Sequence, residues 1–225
     1  MPGHVARWAK AFGQVPGRCF DIGNTTRRAI ESYIADGEAA AGPVDAASAG
    51  NGSLVRVGPI AILGADDADE ACFLAVKQSG ATHGTIECLH ACNLFTAQPV
   101  DALNGADKQC ATRPRVMSLA PRLLIINAGE WRSKARDDIR SSGYVVDTLE
   151  AALWSVWQTD NFRDAVLTAA NLGDDADSVA PVAGQLAGAL YGASGIPEDW
   201  LGKLAWREKL EILAGALFDL RPLGG

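Results

Sequence analysis

Apolar residues recur along this chain at the spacing of a helix face and almost never at the spacing of a strand. Over 203–220, Trp206, Leu210, Leu213, Leu217 and Leu220 fall at i, i+4, i+7, i+11 and i+14, positions that share one side of an α-helix. Over 147–158, Leu149, Leu153 and Val156 repeat the pattern. There Asp147 precedes the run and Glu150 follows three residues later, the spacing of a capping box. The same reasoning places helices at 2–12, 26–36, 53–63, 68–81, 85–97, 162–170, 178–191 and 197–201. Two β-prone runs, "LLII" (123–126) and "YVV" (144–146), are short and have no alternating partner. The expected fold class is therefore all-α, a single compact multi-helix domain over 1–225. The loops "DGEAAAGPVDAASAG" (36–50) and "NGADKQCATRPRV" (104–116) are too short to divide it.

Bulk properties narrow the function classes. With 225 residues, 48% apolar and 21% charged, the chain can build a proper core. A net charge of −7 argues against nucleic acid or an anionic membrane as partner, since both need clustered Lys and Arg. The first residues lack the apolar core of a secretory signal, and no run reaches the length of a membrane span. Five irregularly spaced cysteines read as reduced thiols, which points to a cytoplasmic protein. "CLHAC" (88–92) carries a zinc-like pattern, but no further ligands are evident, so helical core thiols are the expectation.

The stretch "NLGDDADSVAPVAGQLAGALYG" (171–192) sets Asp174, Asp175 and Asp177 at the front of a helix of small residues. A single carboxylate there would simply meet the positive end of the helix. Three repel one another, and a hard cation would reverse that. Asp175, Asp177 and Ser178 can converge in such a turn. An EF-hand does not fit, because Val179 and Leu186 occupy ligand positions. The similar "GADDADEA" (64–71) reads instead as an N-cap and a solvated first turn. Within 178–191, Ala183 and Ala187, and Gly184 and Gly188, lie four apart, so close approach of a neighbouring backbone is expected.

Three stretches, "DIGNTTRRAIE" (21–31), "AGNGSLVRVGPIAIL" (49–63) and the segment 142–201 from "SGYVVDTLEAALW" through "TDNFRDAVLTAANLGDDADS" to "IPEDWL", resemble the ADP-ribosylglycohydrolase family. "ATHG" (81–84) falls in the matching order. The resemblance implies an all-α fold, two Mg²⁺ or Mn²⁺ ions in the intact family site, and hydrolysis of the bond joining ADP-ribose to a protein side chain, often arginine. The implied partner is an ADP-ribosylated protein or a small ADP-ribosyl substrate. It also implies Asp175, Asp177 and Ser178 as metal ligands. Gly50, Asn51, Gly52 and Ser53 would line the ADP-ribose site, His83 the substrate cleft, and Tyr144 would pack on the nucleotide. On the residues alone, His83 could cap a helix, Tyr144 could be a core aromatic and Asn51 could merely supply a turn.

Departures accompany the match. Family members normally begin well upstream of these motifs with a "T-D-D-T" metal motif, and no Thr-Asp-Asp occurs here. Asp174 stands where the family usually has glycine, Ser178 where threonine is commoner, and Val55 where methionine is usual. The expectation is thus a hydrolase whose remaining part lies elsewhere. The alternatives are a catalytically degenerate ADP-ribose binder or a structural homologue, with one metal ion or none.

Overall fold

The computed structural model describes residues 22–220. Among them are twelve α-helices and a few 3₁₀ turns, with one isolated bridge and no strand. In chain order the helices are α1 (Asn24–Asp36), α2 (Gly52–Val55), α3 (Gly58–Leu63), α4 (Ala68–Gly80), α5 (Ile86–Leu103) and α6 (Lys108–Ala111). They continue with α7 (Pro121–Ala128), α8 (Val145–Trp157), α9 (Phe162–Ala170), α10 (Ala176–Tyr191), α11 (Glu198–Leu201) and α12 (Arg207–Asp219). The helix expected at 2–12 lies outside the described residues.

The centre is α5, packed against α4, α10, α3, α8 and α6. It buries Cys88, Ala91, Cys92, Leu94 and Phe95. It passes through Pro99 to Leu103 rather than stopping at 97. Helix α8 is buried over nearly its whole length, from Val145 to Val156, between α10, α9 and α5. The "LLII" run is helical. Pro121 opens α7, and Leu123 and Ile126 turn inward three residues apart, a helix period that overrides local β-propensity.

Several expected boundaries shift for identifiable reasons. The 53–63 helix splits into α2 and α3 because Pro59 has no N–H to give to the Val55 carbonyl. Gln185 Nε2 of α10 donates to that carbonyl at 3.0 Å and to the Leu54 carbonyl at 3.3 Å. The break thus ties α10 to the turn at 50–53. The capping box at Asp147 does not form. Tyr144 is the N-cap of α8, and Asp147 instead accepts from Ser142 Oγ at 2.7 Å. Glu150 pairs with Lys134 at 2.6 Å. The acids at 66–69 behave as expected, with Asp67 capping the Asp69 and Glu70 amides.

Helix α10 buries Val179, Val182, Ala183, Leu186 and Ala187 against α9, α8 and α5. The alanines carry the close contact and the glycines do not. A Cβ on Gly184 would meet Val166 at 3.7 Å, and one on Gly188 would meet Phe162 at 3.9 Å, ordinary packing distances. Gly184→Ala and Gly188→Ala should therefore each stabilise the fold by about 1 kcal/mol through helix propensity. Urea unfolding checks this, and a loss of stability would show that the small ridge is needed.

Helix α12 has no buried residue and packs on α3. The face that defined it in the sequence stays open. Trp206 is 76% exposed, and Leu210, Leu213 and Leu220 are exposed as well. No described helix is long and apolar enough to cross a membrane.

Candidate active site

Two turns from distant parts of the chain meet at one cavity. The first is Gly50–Ser53, between a 3₁₀ turn and α2. An isolated antiparallel bridge joins Gly50 to Tyr144. Asn51 N donates to Gly143 O at 3.1 Å, and Val145 N to Ala49 O at 3.0 Å. The turn is thereby clamped to the start of α8. The second is the acid turn 173–178. Gly173 (φ +84°) and Asp174 (φ +53°) are both left-handed, where glycine is cheapest. That conformation accounts for a glycine preference at position 174. Asp175 N donates to Ser141 O at 2.9 Å, and Ser141 Oγ donates to Gly173 O at 2.9 Å. Asp175 becomes the N-cap of α10.

One amide connects the two turns. Asn51 Nδ2 donates to Asp175 Oδ2 at 2.6 Å and to Thr148 Oγ1 at 2.8 Å. Thr148 passes its own proton to Ser142 O at 2.9 Å. Asn51 is therefore more than a turn former, since its side chain orients a carboxylate.

The cavity beside this contact has a volume of about 400 Å³. Asp175, Asp177 and Ser178 line it together with Gly50, Asn51, Gly52 and His83, so seven of the nine expected site residues share one space. Asp174 does not line it and is exposed. Two expected residues lie elsewhere. Ser53 is fully buried, its hydroxyl accepting from Ser79 Oγ at 2.9 Å with Cys92 Sγ at 3.5 Å. It supports the turn from beneath and does not face the cavity. Tyr144 adjoins the cavity through its backbone bridge to Gly50, while its ring lies outside the lining. Burial, then a hydrogen bond and charge from Glu87, raise its hydroxyl above the usual tyrosine range. Arg122 lies over the ring at 5.6 Å.

His83 is 3% exposed and caps no helix. Burial, aided by the nearby Arg56 charge, lowers its pKa to about 4, so it is neutral at pH 7. Its ring faces the two glycines. A Cβ on Gly52 would stand 3.0 Å from Cε1, and one on Gly50 would stand 3.6 Å from Nε2. The bare backbone of the turn is what lets the imidazole reach the cavity.

Thr25 and Thr26, unassigned from the sequence, also line the cavity, as does Val55, noted only as a departure from the family. Two threonines at the front of a helix are a common capping pattern, so nothing marked them. The zinc-like triplet does not converge. Cys88 Sγ donates to Gly50 O at 3.2 Å, and His90 Nδ1 accepts from Ala120 N at 2.9 Å. Burial pushes the Cys88 thiol up to about 11 and raises Cys92 as well, which fits core thiols.

The donors in the cavity suit a hard divalent cation. Asp175 and Asp177 offer carboxylates, and Ser178, Thr25 and Thr26 offer hydroxyls, the oxygen types that Mg²⁺ and Mn²⁺ select. No Lys or Arg among the described residues lines the space. Among the described residues no three His, Cys, Asp or Glu side chains converge for a metal. The described residues thus bring two carboxylates to the cavity, Asp175 and Asp177, beside the hydroxyls.

Fold and cavity together define an all-α protein with a carboxylate-lined pocket. The family model for ADP-ribosylglycohydrolases matches residues 2–224. The chain is 53% identical over 219 residues to an ADP-ribosylarginine hydrolase Tri1 of Pseudomonas putida (strain GB-1), covering 97% of this chain and 59% of that protein. It is 34% identical over 207 residues to the ADP-ribosyl-[dinitrogen reductase] glycohydrolase of Rhodospirillum rubrum, covering 92% of this chain and 66% of that one. A solved structure described as an ADP-ribosylglycohydrolase-related protein complex superposes with a TM-score of 0.84 at 35% identity, over 97% of this chain and 73% of that chain. This chain belongs to the ADP-ribosylglycohydrolase family. It spans 59% of the length of the Pseudomonas relative.

Proposed function

We propose that this chain carries the ADP-ribose-binding and acidic part of a hydrolase that cleaves the bond between ADP-ribose and a protein side chain, with arginine as the linkage. The observation that supports it most is the Asn51–Asp175 contact at 2.6 Å, which brings the turn and the acids, two separate motifs of the resemblance, to one cavity. The Pseudomonas relative, 53% identical over 219 aligned residues, is named an ADP-ribosylarginine hydrolase, which favours a working enzyme over a degenerate binder.

In this reading Asp175, Asp177 and Ser178 hold Mg²⁺ or Mn²⁺. When bound, the ion supplies Lewis-acid polarisation and a template for substrate oxygens. Asn51 fixes the Asp175 carboxylate, and the glycines at 50 and 52 let ribose or phosphate oxygens approach backbone N–H groups. Tyr144 borders the cavity through its backbone bridge to Gly50, and its ring would meet the nucleotide only where the ligand extends past the lining toward Arg122. Water adds its oxygen to the anomeric carbon, and a proton passes to the departing guanidine nitrogen.

The direct test incubates the protein with Mn²⁺ and an arginine-ADP-ribosylated protein and reads the ADP-ribose released. Release is expected. Asn51→Ala should reduce it about 10-fold to 100-fold, the cost of one charge-assisted hydrogen bond that orients a carboxylate. Binding of ADP-ribose without release would establish the degenerate reading. Neither binding at millimolar ligand nor release would overturn both.

A further inference from the structure

His83 has two ring nitrogens, and the structure distinguishes them. Nδ1 lies 2.8 Å from Thr82 Oγ1. That hydroxyl oxygen also accepts from Arg56 Nη2 at 2.6 Å. A guanidinium can only donate, so the Thr82 oxygen is committed as acceptor on the Arg56 side. Thr82 has one proton to give, and His83 Nδ1 stands in reach of it. The second lone pair of that oxygen could also take an Nδ1–H, but the Thr82 proton meets no other acceptor among the described residues, and this favours an unprotonated Nδ1. The proton of a neutral imidazole then sits on Nε2. Nε2 has no hydrogen-bond partner among the described residues, and it stands at the Gly50–Gly52 edge of the cavity.

Arg56 is itself firmly held. Nε donates to Gln78 Oε1 at 2.9 Å, Nη2 to Gln78 O at 2.9 Å and Nη1 to Gly52 O at 3.3 Å. It cannot turn away from Thr82 without breaking several bonds. Gly42 packs the other side of the same corner. A Cβ there would come within 2.6 Å of the His83 and Gly84 backbone nitrogens.

We infer that Arg56 and Thr82 are positioning residues that lock His83 as the Nε2–H tautomer, aiming a proton donor at an acceptor oxygen of the bound ligand. His83 in this state cannot take a proton at Nε2, so it is not the base of the reaction. It selects ligands that present a lone pair to the glycine edge, such as a ribose hydroxyl oxygen or a phosphate oxygen. The ligand half of this inference rests on the function proposed above; the tautomer half does not.

Nitrogen-15 NMR of the histidine rings at pH 7 tests it, with His83 assigned by its disappearance in His83→Gln. Wild type should show the neutral Nε2–H pattern. Thr82→Val, which keeps the shape and removes the hydroxyl, should give mixed tautomers and weaken ADP-ribose binding about tenfold, the equivalent of about 1.4 kcal/mol. Thr82→Ser should restore both. A wild-type ring that is charged or protonated at Nδ1 would overturn the inference, and so would Thr82→Val with unchanged tautomer and affinity. The wild-type spectrum alone decides the tautomer if Thr82→Val does not fold. A correct tautomer in a protein that binds no ADP-ribose would sink the proposed function and leave the lock standing.

Discussion

Replacing Asp175 by alanine should abolish stabilisation by Mn²⁺ and reduce ADP-ribose release about 10²-fold to 10³-fold. Asp175 is the carboxylate to which the other site groups refer. It receives the Asn51 amide at 2.6 Å, and its backbone anchors the acid turn to Ser141 and starts α10. A ligand that binds only the folded state stabilises it by about 2.7 kcal/mol at a hundred times its Kd. Thermal unfolding with and without Mn²⁺ therefore reads occupancy without needing turnover. The rate loss follows from removing one preorganised charge from a partly enclosed site. Equal Mn²⁺ responses in wild type and Asp175→Ala would remove the acids at 175–178 as the metal site. Asp177→Ala supplies a second reading, because its carboxylate lines the cavity without the Asn51 contact.

Stability should fall by about 3 kcal/mol between pH 6.5 and pH 4 on account of His83 alone. Its folded pKa is about 4 against an ordinary 6.5. Above pH 6.5 the ring is neutral in both states and contributes no pH dependence. As pH drops below 6.5 the unfolded chain takes up a proton that the folded ring refuses, so unfolding becomes more favourable by about 1.4 kcal/mol per pH unit. The loss is complete near pH 4, where the folded ring also protonates. Urea unfolding of wild type and His83→Gln across this window isolates the contribution. His90, also lowered by burial, acts in the same direction in both proteins and cancels. Parallel curves would mean that His83 titrates normally in the fold.

Helical periodicity was enough to read the fold class, because a 3.6-residue pattern over several turns has few other solutions. The 162–170 helix appears with those bounds, since Asn161 caps it locally through the Asp164 amide. Pro59 is a local break that the periodicity overlooks, while in other places a distant residue supplies a partner that no local pattern shows, as Lys134 does at Glu150. The open face of α12 looked like core, and its pattern alone carries no information about a partner. The site divides in the same way. Asp175, Asp177 and the glycines were visible as motifs. The contact that joins them, from position 51 to position 175, has no local signature. Neither has Ser53 turning inward, nor the Arg56–Thr82–His83 chain, where only the third member stood out. Thr25 and Thr26 looked like any helix start.

The span of that Asn51 bond carries a kinetic meaning. It joins residues separated by 124 positions, and such pairings form only after the long intervening loop has been closed by its own packing. Ligand affinity should thus appear at the end of refolding, after most helical signal has returned, and a bound nucleotide would report completion of the native state.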